Sequence, residues 1–200
     1  MRMTSTIIAL AALACSSPAL AIDLNPFGYI KDAVEAVAED RSADNISKDV
    51  QLKAAIVASI TDKMGADIAS VSTDVYEQNV LLTGVVETKA QKSQAGTIAK
   101  HAKASKKIFN EIIVHKKSKK DKGMVEGFVD DTVIEKKTNA LLLEGKGVNV
   151  TNFRWRSVGG HVFLFGRALS KSELKKAETI VKGIKGVSKV TSHVVTRAKK

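Results

Sequence analysis

The residues best suited to hold a metal or attack a substrate are four histidines, His101, His115, His161 and His193, and a single cysteine, Cys15. None of them stands at the spacing a zinc site needs, and a lone cysteine can form no internal disulfide. Asp130 and Asp131 are adjacent carboxylates at an expected helix start, where they read as caps and partners of the helix dipole rather than as an acid–base pair. The chain contains no G-x-S-x-G elbow, phosphate-binding glycine loop or dinucleotide fingerprint. No enzymatic activity, cofactor or metal is therefore expected.

The remaining chemistry is electrostatic. The formal net charge is +11, and it is unevenly placed. Residues 22–114 hold 11 Lys+Arg against 13 Asp+Glu, a net of −2, whereas residues 115–200 hold 20 against 8, a net of +12. Such asymmetry points to an anionic partner for the second half. The sharpest basic features there are Lys171, Lys175 and Lys182 on one line of an expected helix, with Lys176 and Lys185 nearby, and the run Lys116–Lys122. Phe128 and Val133, beside that run, are placed to insert shallowly into headgroups or to staple a helix start.

The elements that must position these residues are duplicated. Shifted by 82, the sequence overlays itself: Asp49 falls on Asp131, Leu52 on Ile134, Val80–Gly84 on Val162–Gly166, Thr88 on Ser170, Ile108 on Val190 and Ile112 on Val194. A fixed offset with matching apolar, glycine and cap positions signals a repeat. The units span 48–114 and 130–197, each reading α-β-β-α-β, an α+β fold whose three-stranded mixed sheet packs on two helices.

Leu52, Ala55, Ile56 and Ile60 form the apolar face of helix one in the first unit, and Ile134, Leu141 and Leu142 that of the second. Thr132-x-x-Glu135, Thr88-x-x-Gln91 and Ser170-x-x-Glu173 read as capping boxes. Gly159-Gly160 and, more weakly, Gln78-Asn79 mark hairpin turns. Gly186 reads as the stop of the last helix, with Ala104 in its place in the first unit.

Strand alternation assigns Phe153, Trp155, Val162 and Leu164 to the helix-covered core. Arg154, Arg156, Phe163, Phe165, Lys189 and His193 then share the other sheet face. Two phenylalanines among basic groups mark a contact surface, either for the first unit, whose matching face carries Leu81 and Thr83, or for an outside partner.

Residues 1–21 read as a secretory signal: Arg2, an apolar stretch Ile7–Cys15, a break at Ser16-Ser17-Pro18 and the A-x-A site Ala19-Leu20-Ala21. Ala12-Leu13-Ala14-Cys15 offers a second reading, an imperfect lipobox with Cys15 as lipidation site. Residues 22–47 read as a tether with a short helix around Phe27–Ala38, 115–129 as a basic linker and 198–200 as a basic tail. No stretch has the roughly 20 apolar residues of a membrane-spanning helix.

Val162-Phe-Leu-Phe-Gly166, the tail Ala177…Val181…Gly183…Gly186-Val187…Val190, and in the first unit Val80-Leu-Leu-Thr-Gly84 and Ile108-Phe-Asn-Glu-Ile112 resemble the BON domain. With the leader and Asp40-Arg41-Ser42, the chain is similar to dual-BON envelope proteins, OsmY-like or DolP-like. Arg41-Ser42 and the Ile108–Ile112 strand lean toward the DolP-like branch. That resemblance implies a periplasmic protein, outer-membrane-anchored if Cys15 is lipidated, that binds an anionic phospholipid membrane surface and supports envelope integrity. Another envelope protein is a further expected partner. Export argues against nucleic acid. The alternative is a soluble osmotic-stress protein acting as a chaperone or interaction module.

Overall fold

The computed structural model describes residues 40–65, 70–115 and 123–197, with side chains of the last stretch from residue 130 onward. Expectations for residues 1–39, including Cys15 and the tether helix, and for the basic run Lys116–Lys122 and the tail 198–200 lie outside the described residues.

The first domain comprises α1 (Ala43–Met64), β1 (Ser72–Tyr76), β2 (Asn79–Thr83), β3 (Val85–Val86), α2 (Lys89–His101), β4 (Ile108–Asn110) and β5 (Ile113–Val114). The second comprises α3 (Gly123–Glu144), β6 (Phe153–Val158), β7 (His161–Ala168), α4 (Lys171–Lys182) and β8 (Lys189–Thr196). A hairpin pairs β1 with β2 antiparallel, and the crossover helix α2 brings β4 alongside β2 in parallel. The second domain repeats this order, with β6 antiparallel and β8 parallel to β7.

Each hairpin turns through two residues in the left-handed region, as the twist of paired strands requires. They are Gly159 and Gly160 in the second domain, and Glu77 and Gln78 in the first. The first turn thus lies one residue before the expected Gln78-Asn79, in register with its glycine counterpart. Side chains at positive φ cost about 1 kcal/mol each, and a buried carboxylate offsets this. Asp49 accepts the N–H groups of Glu77 (2.7 Å) and Gln78 (2.8 Å). Its repeat equivalent Asp131 accepts those of Gly159 (2.6 Å) and Gly160 (2.9 Å).

This use of Asp131 changes the expected start of helix one in the second domain. Thr132-x-x-Glu135 is no capping box, because α3 begins at Gly123 and runs through it. The residues that spell a cap serve the hairpin instead: Asp131 also accepts the Ser157 hydroxyl (2.6 Å), and Glu135 accepts the Ser157 N–H (2.9 Å). Residues 123–129 of the expected linker are consequently helical, and Val133 stands well inside the helix rather than on its first turn. In the first domain α1 starts at Ala43, capped by Ser42, so residues 43–47 of the expected tether are helix as well.

Thr88 and Gln91 form a complete capping box on α2. Ser170 caps α4 by accepting the Glu173 N–H. The Glu173 carboxylate, however, accepts the Leu169 and Asn149 N–H groups, at 2.6 and 2.7 Å, stitching the 150–152 turn to the helix start. Helix α4 ends at Gly183, not Gly186; Gly186 and Ala104 instead take the same left-handed position in the following turn.

One core lies between α1, α2 and their sheet around Ile56, Val80 and Leu82. The second lies between α3, α4 and theirs around Phe153, Leu164 and Val181. Thr138, the equivalent of Ile56, is fully buried in the second core with its hydroxyl unpaired. Thr138→Val keeps the shape and removes a desolvated hydroxyl, so it is expected to raise stability by about 1 kcal/mol, read as a higher urea midpoint at unchanged slope.

Candidate docking surface and interdomain joint

The sheet faces opposite the helices pack against each other. Tyr76 and Leu81 of the first domain meet Val158, Phe163 and Phe165 of the second in a third apolar cluster, flanked by Val85, Phe109 and Ile113. The order of layers is therefore helices, sheet, sheet, helices, with the two helix layers facing outward at opposite ends. Phe163 and Phe165 are nearly inaccessible at 1% and 2% exposure, and Phe109 meets Phe165 edge-on with centroids 6.0 Å apart.

Polar groups frame this cluster. Arg156 donates from Nε and Nη2 to the two Asp74 oxygens (2.7 and 3.1 Å), a forked pair. His193 Nε2 lies 2.8 Å from Glu111 Oε1, its ring stacked on Phe109. Arg154 donates to the carbonyls of Thr151 and Phe153 at 2.9 Å and stands over the Tyr76 ring. His161, beside Phe163, is held toward its neutral form by partial burial and then by Lys189, both lowering its pKa.

The end of the N-terminal segment clips both domains. Asp40 accepts from the side-chain amides of Asn149 (3.2 Å) and Asn152 (3.1 Å), with Arg167 at 3.8 Å. Its neighbour Arg41 pairs with Asp49 and lies over the Tyr76 ring.

The residues expected to form one contact face thus divide. Arg154, Arg156, Phe163 and Phe165 lie at the joint, as does His193, whereas Lys189 is exposed on the second domain. Asp74 and Glu111 were not picked out from sequence, and Asp40-Arg41 entered only through the family resemblance, not as a clip; the signal available for the first two was the offset of 82, which places Asp74 on Arg156 and Glu111 on His193.

The outer helix layer of the second domain carries the expected lysines. Lys171, Lys175, Lys176, Lys182 and Lys185 are all exposed, Lys176 bonding the Lys146 carbonyl. Helix α3 packs beside α4 and adds apolar groups: Val133 is 43% exposed, Leu141 39% and Leu143 61%. Leu141 therefore leaves the core face assigned to it, which Leu142 occupies. Lys136 and Lys137, on the same helix, are exposed too. Phe128 falls in α3, but its side chain lies outside those described.

The other outer layer, in the first domain, has a shallow open groove of about 600 Å³ between α1 and α2, floored by Ile98 and Ala102. Its one histidine, His101, has no carboxylate beside it in the lining. Among the described residues no group of three or more His, Cys, Asp or Glu could hold a metal, and no helix is long and apolar enough to cross a membrane.

These features define a class: a tandem of small α-β-β-α-β domains closed sheet to sheet. The BON domain model matches residues 48–116 and 130–198, and the chain belongs to that family. It is similar to an Anaplasma centrale protein named for the gshII 5′ region, 32% identical over 63% of this chain and 81% of that one. It is also similar to osmotically-inducible protein Y of Escherichia coli (strain K12), 26% identical over 76% of this chain and 75% of that one. The 21 kDa hemolysin of Actinobacillus pleuropneumoniae is 29% identical over 78% of this chain and 71% of its own length.

Proposed function

We propose that this protein is a non-enzymatic cell-envelope protein that docks on anionic phospholipid through the outer helix layer of its second domain. The observation that carries the reading is a single layer in which exposed Val133, Leu141 and Leu143 on α3 stand beside a helix bearing Lys171, Lys175 and Lys182. Lysines near an anionic bilayer contribute about 1 kcal/mol each, and the exposed aliphatic groups add shallow burial below the headgroups. The net charge of +12 over residues 115–200 supports an anionic partner, and the leader-like residues 1–21 support an envelope location. A relative named as osmotically inducible and another named a hemolysin agree with work at a stressed membrane.

Vesicle co-sedimentation tests it. Binding is expected to phosphatidylglycerol-containing vesicles, little to pure phosphatidylcholine, and to weaken as salt shortens the Debye length. The triple variant K171Q/K175Q/K182Q should lose at least about tenfold in affinity. Equal binding to neutral vesicles, or an unaffected triple variant, overturns the electrostatic mechanism. The likeness to the osmotically-inducible relative favours a second reading, a soluble stress protein that shields other proteins. The intact mass of the exported chain separates the two: acyl groups on Cys15 favour the anchored form, and an unmodified Ile22 start favours the soluble one.

A further inference from the structure

Two of the ionic contacts across the joint share a numerical property that the pairs Glu77 makes with Arg167 and Arg197 lack. Asp74 and Arg156 are 82 residues apart, and so are Glu111 and His193. Each pair therefore consists of a residue and its own repeat equivalent. In an interface built from two copies of one surface, only positions on the two-fold axis meet their own equivalents. Leu81 and Phe163, equivalent again, both lie in the apolar cluster at this joint. Around these positions the joint thus has the arrangement of an internal dimer of one BON surface, with its axis running past them.

A true dimer of the first domain would set Asp74 against Asp74 and Glu111 against Glu111. A true dimer of the second would set Arg156 against Arg156. Like charges in such partly buried positions lack their partners and repel. In the chain as it exists, Arg156 and Asp74 are both largely buried, Lys53 lies 3.9 Å from Asp74, and Lys107 lies over Phe109 beside the His193 stack.

We infer that the sheet face of a BON unit opposite its helices is a docking surface for another BON unit. The residues at 74/156 and 111/193 decide which units pair. The first domain's face fits the second domain's face, whether that face belongs to the same chain or to a second copy of it. The described contacts across the joint are noncovalent, so complementary charges can be supplied in trans.

Two full-length charge-reversal variants test this. Asp74→Arg sets arginine against Arg156 within its own chain; Arg156→Asp sets aspartate against Asp74. Each alone is expected to unfold about 10 °C below the native protein and to run as a monomer of increased radius of gyration. Co-expressed, they can match charges only by exchanging domains, and light scattering should show a one-to-one dimer of the two variants. Variants that stay monomeric together, or that dimerise as well alone, overturn the inference. Should either single variant fail to fold, Asp74→Arg/Arg156→Asp in one chain decides the matter: it should recover most of the lost unfolding temperature, and no recovery overturns the inference equally.

Discussion

Replacing Gly166 with alanine should cost more than about 4 kcal/mol, enough to abolish the folded second domain. Gly166 has φ of 111°, a conformation L side chains rarely adopt, and sits where β6 begins to pair with β7. A methyl group there would overlap the Asn152 carbonyl oxygen and come within 3.4 Å of the Phe153 Cα. Both obstacles are backbone, which cannot rotate aside, so steric and conformational costs add. Asn152 is also the partner of Tyr76 Oη (3.3 Å) and of Asp40, so displacing it also loosens the joint. Gly84 is the equivalent, with φ of 113° and the Ser70 carbonyl in the way. Equilibrium urea unfolding followed by Trp155 fluorescence reads the second domain directly, since the chain has one tryptophan. A Gly166→Ala protein with a native midpoint would contradict the close approach.

Removing the Asp131 carboxylate, as in Asp131→Ala, should cost about 3–4 kcal/mol. Its oxygens accept the Gly159 and Gly160 N–H groups and the Ser157 hydroxyl, and the residue is 6% exposed. Hydrogen bonds to a charged group contribute about 1.5–3 kcal/mol each, and leaving donors buried without partners costs their desolvation. The total is held down by water that can reach the exposed Gly159 end of the turn. Asp131→Asn should recover only part of the loss, because the amide turns a donor toward donors. Thermal unfolding and hydrogen exchange of the Gly159 and Gly160 amides check this; unchanged protection of those amides would contradict the role.

Much of this architecture was legible in the sequence because it is written in local and periodic signals. The offset of 82 exposed the duplication, alternation in Phe153–Ser157 and Val162–Phe165 sorted the core face of the sheet from the opposite face, and Gly84 and Gly166 fell at equivalent places. Legibility failed where a side chain has two physical uses. Thr132-x-x-Glu135 has the composition of a cap, yet Asp131 and Glu135 bond a hairpin more than 20 residues away. Leu141 and Leu142 are both apolar, and only the packing of α3 decides that Leu142 is buried while Leu141 faces outward.

By itself, the sequence determined the number of domains, their element order, the concentration of positive charge in the second half and the lack of any recognisable catalytic motif. These depend on neighbours in the chain, on period and on composition. The tertiary structure alone decided that the two sheets close on each other, that Asp74 meets Arg156 and Glu111 meets His193, and that the Asp40-Arg41 clip binds both domains. Those pairings join residues scores of positions apart, whose approach depends on how two folded surfaces fit, and no local pattern encodes that fit.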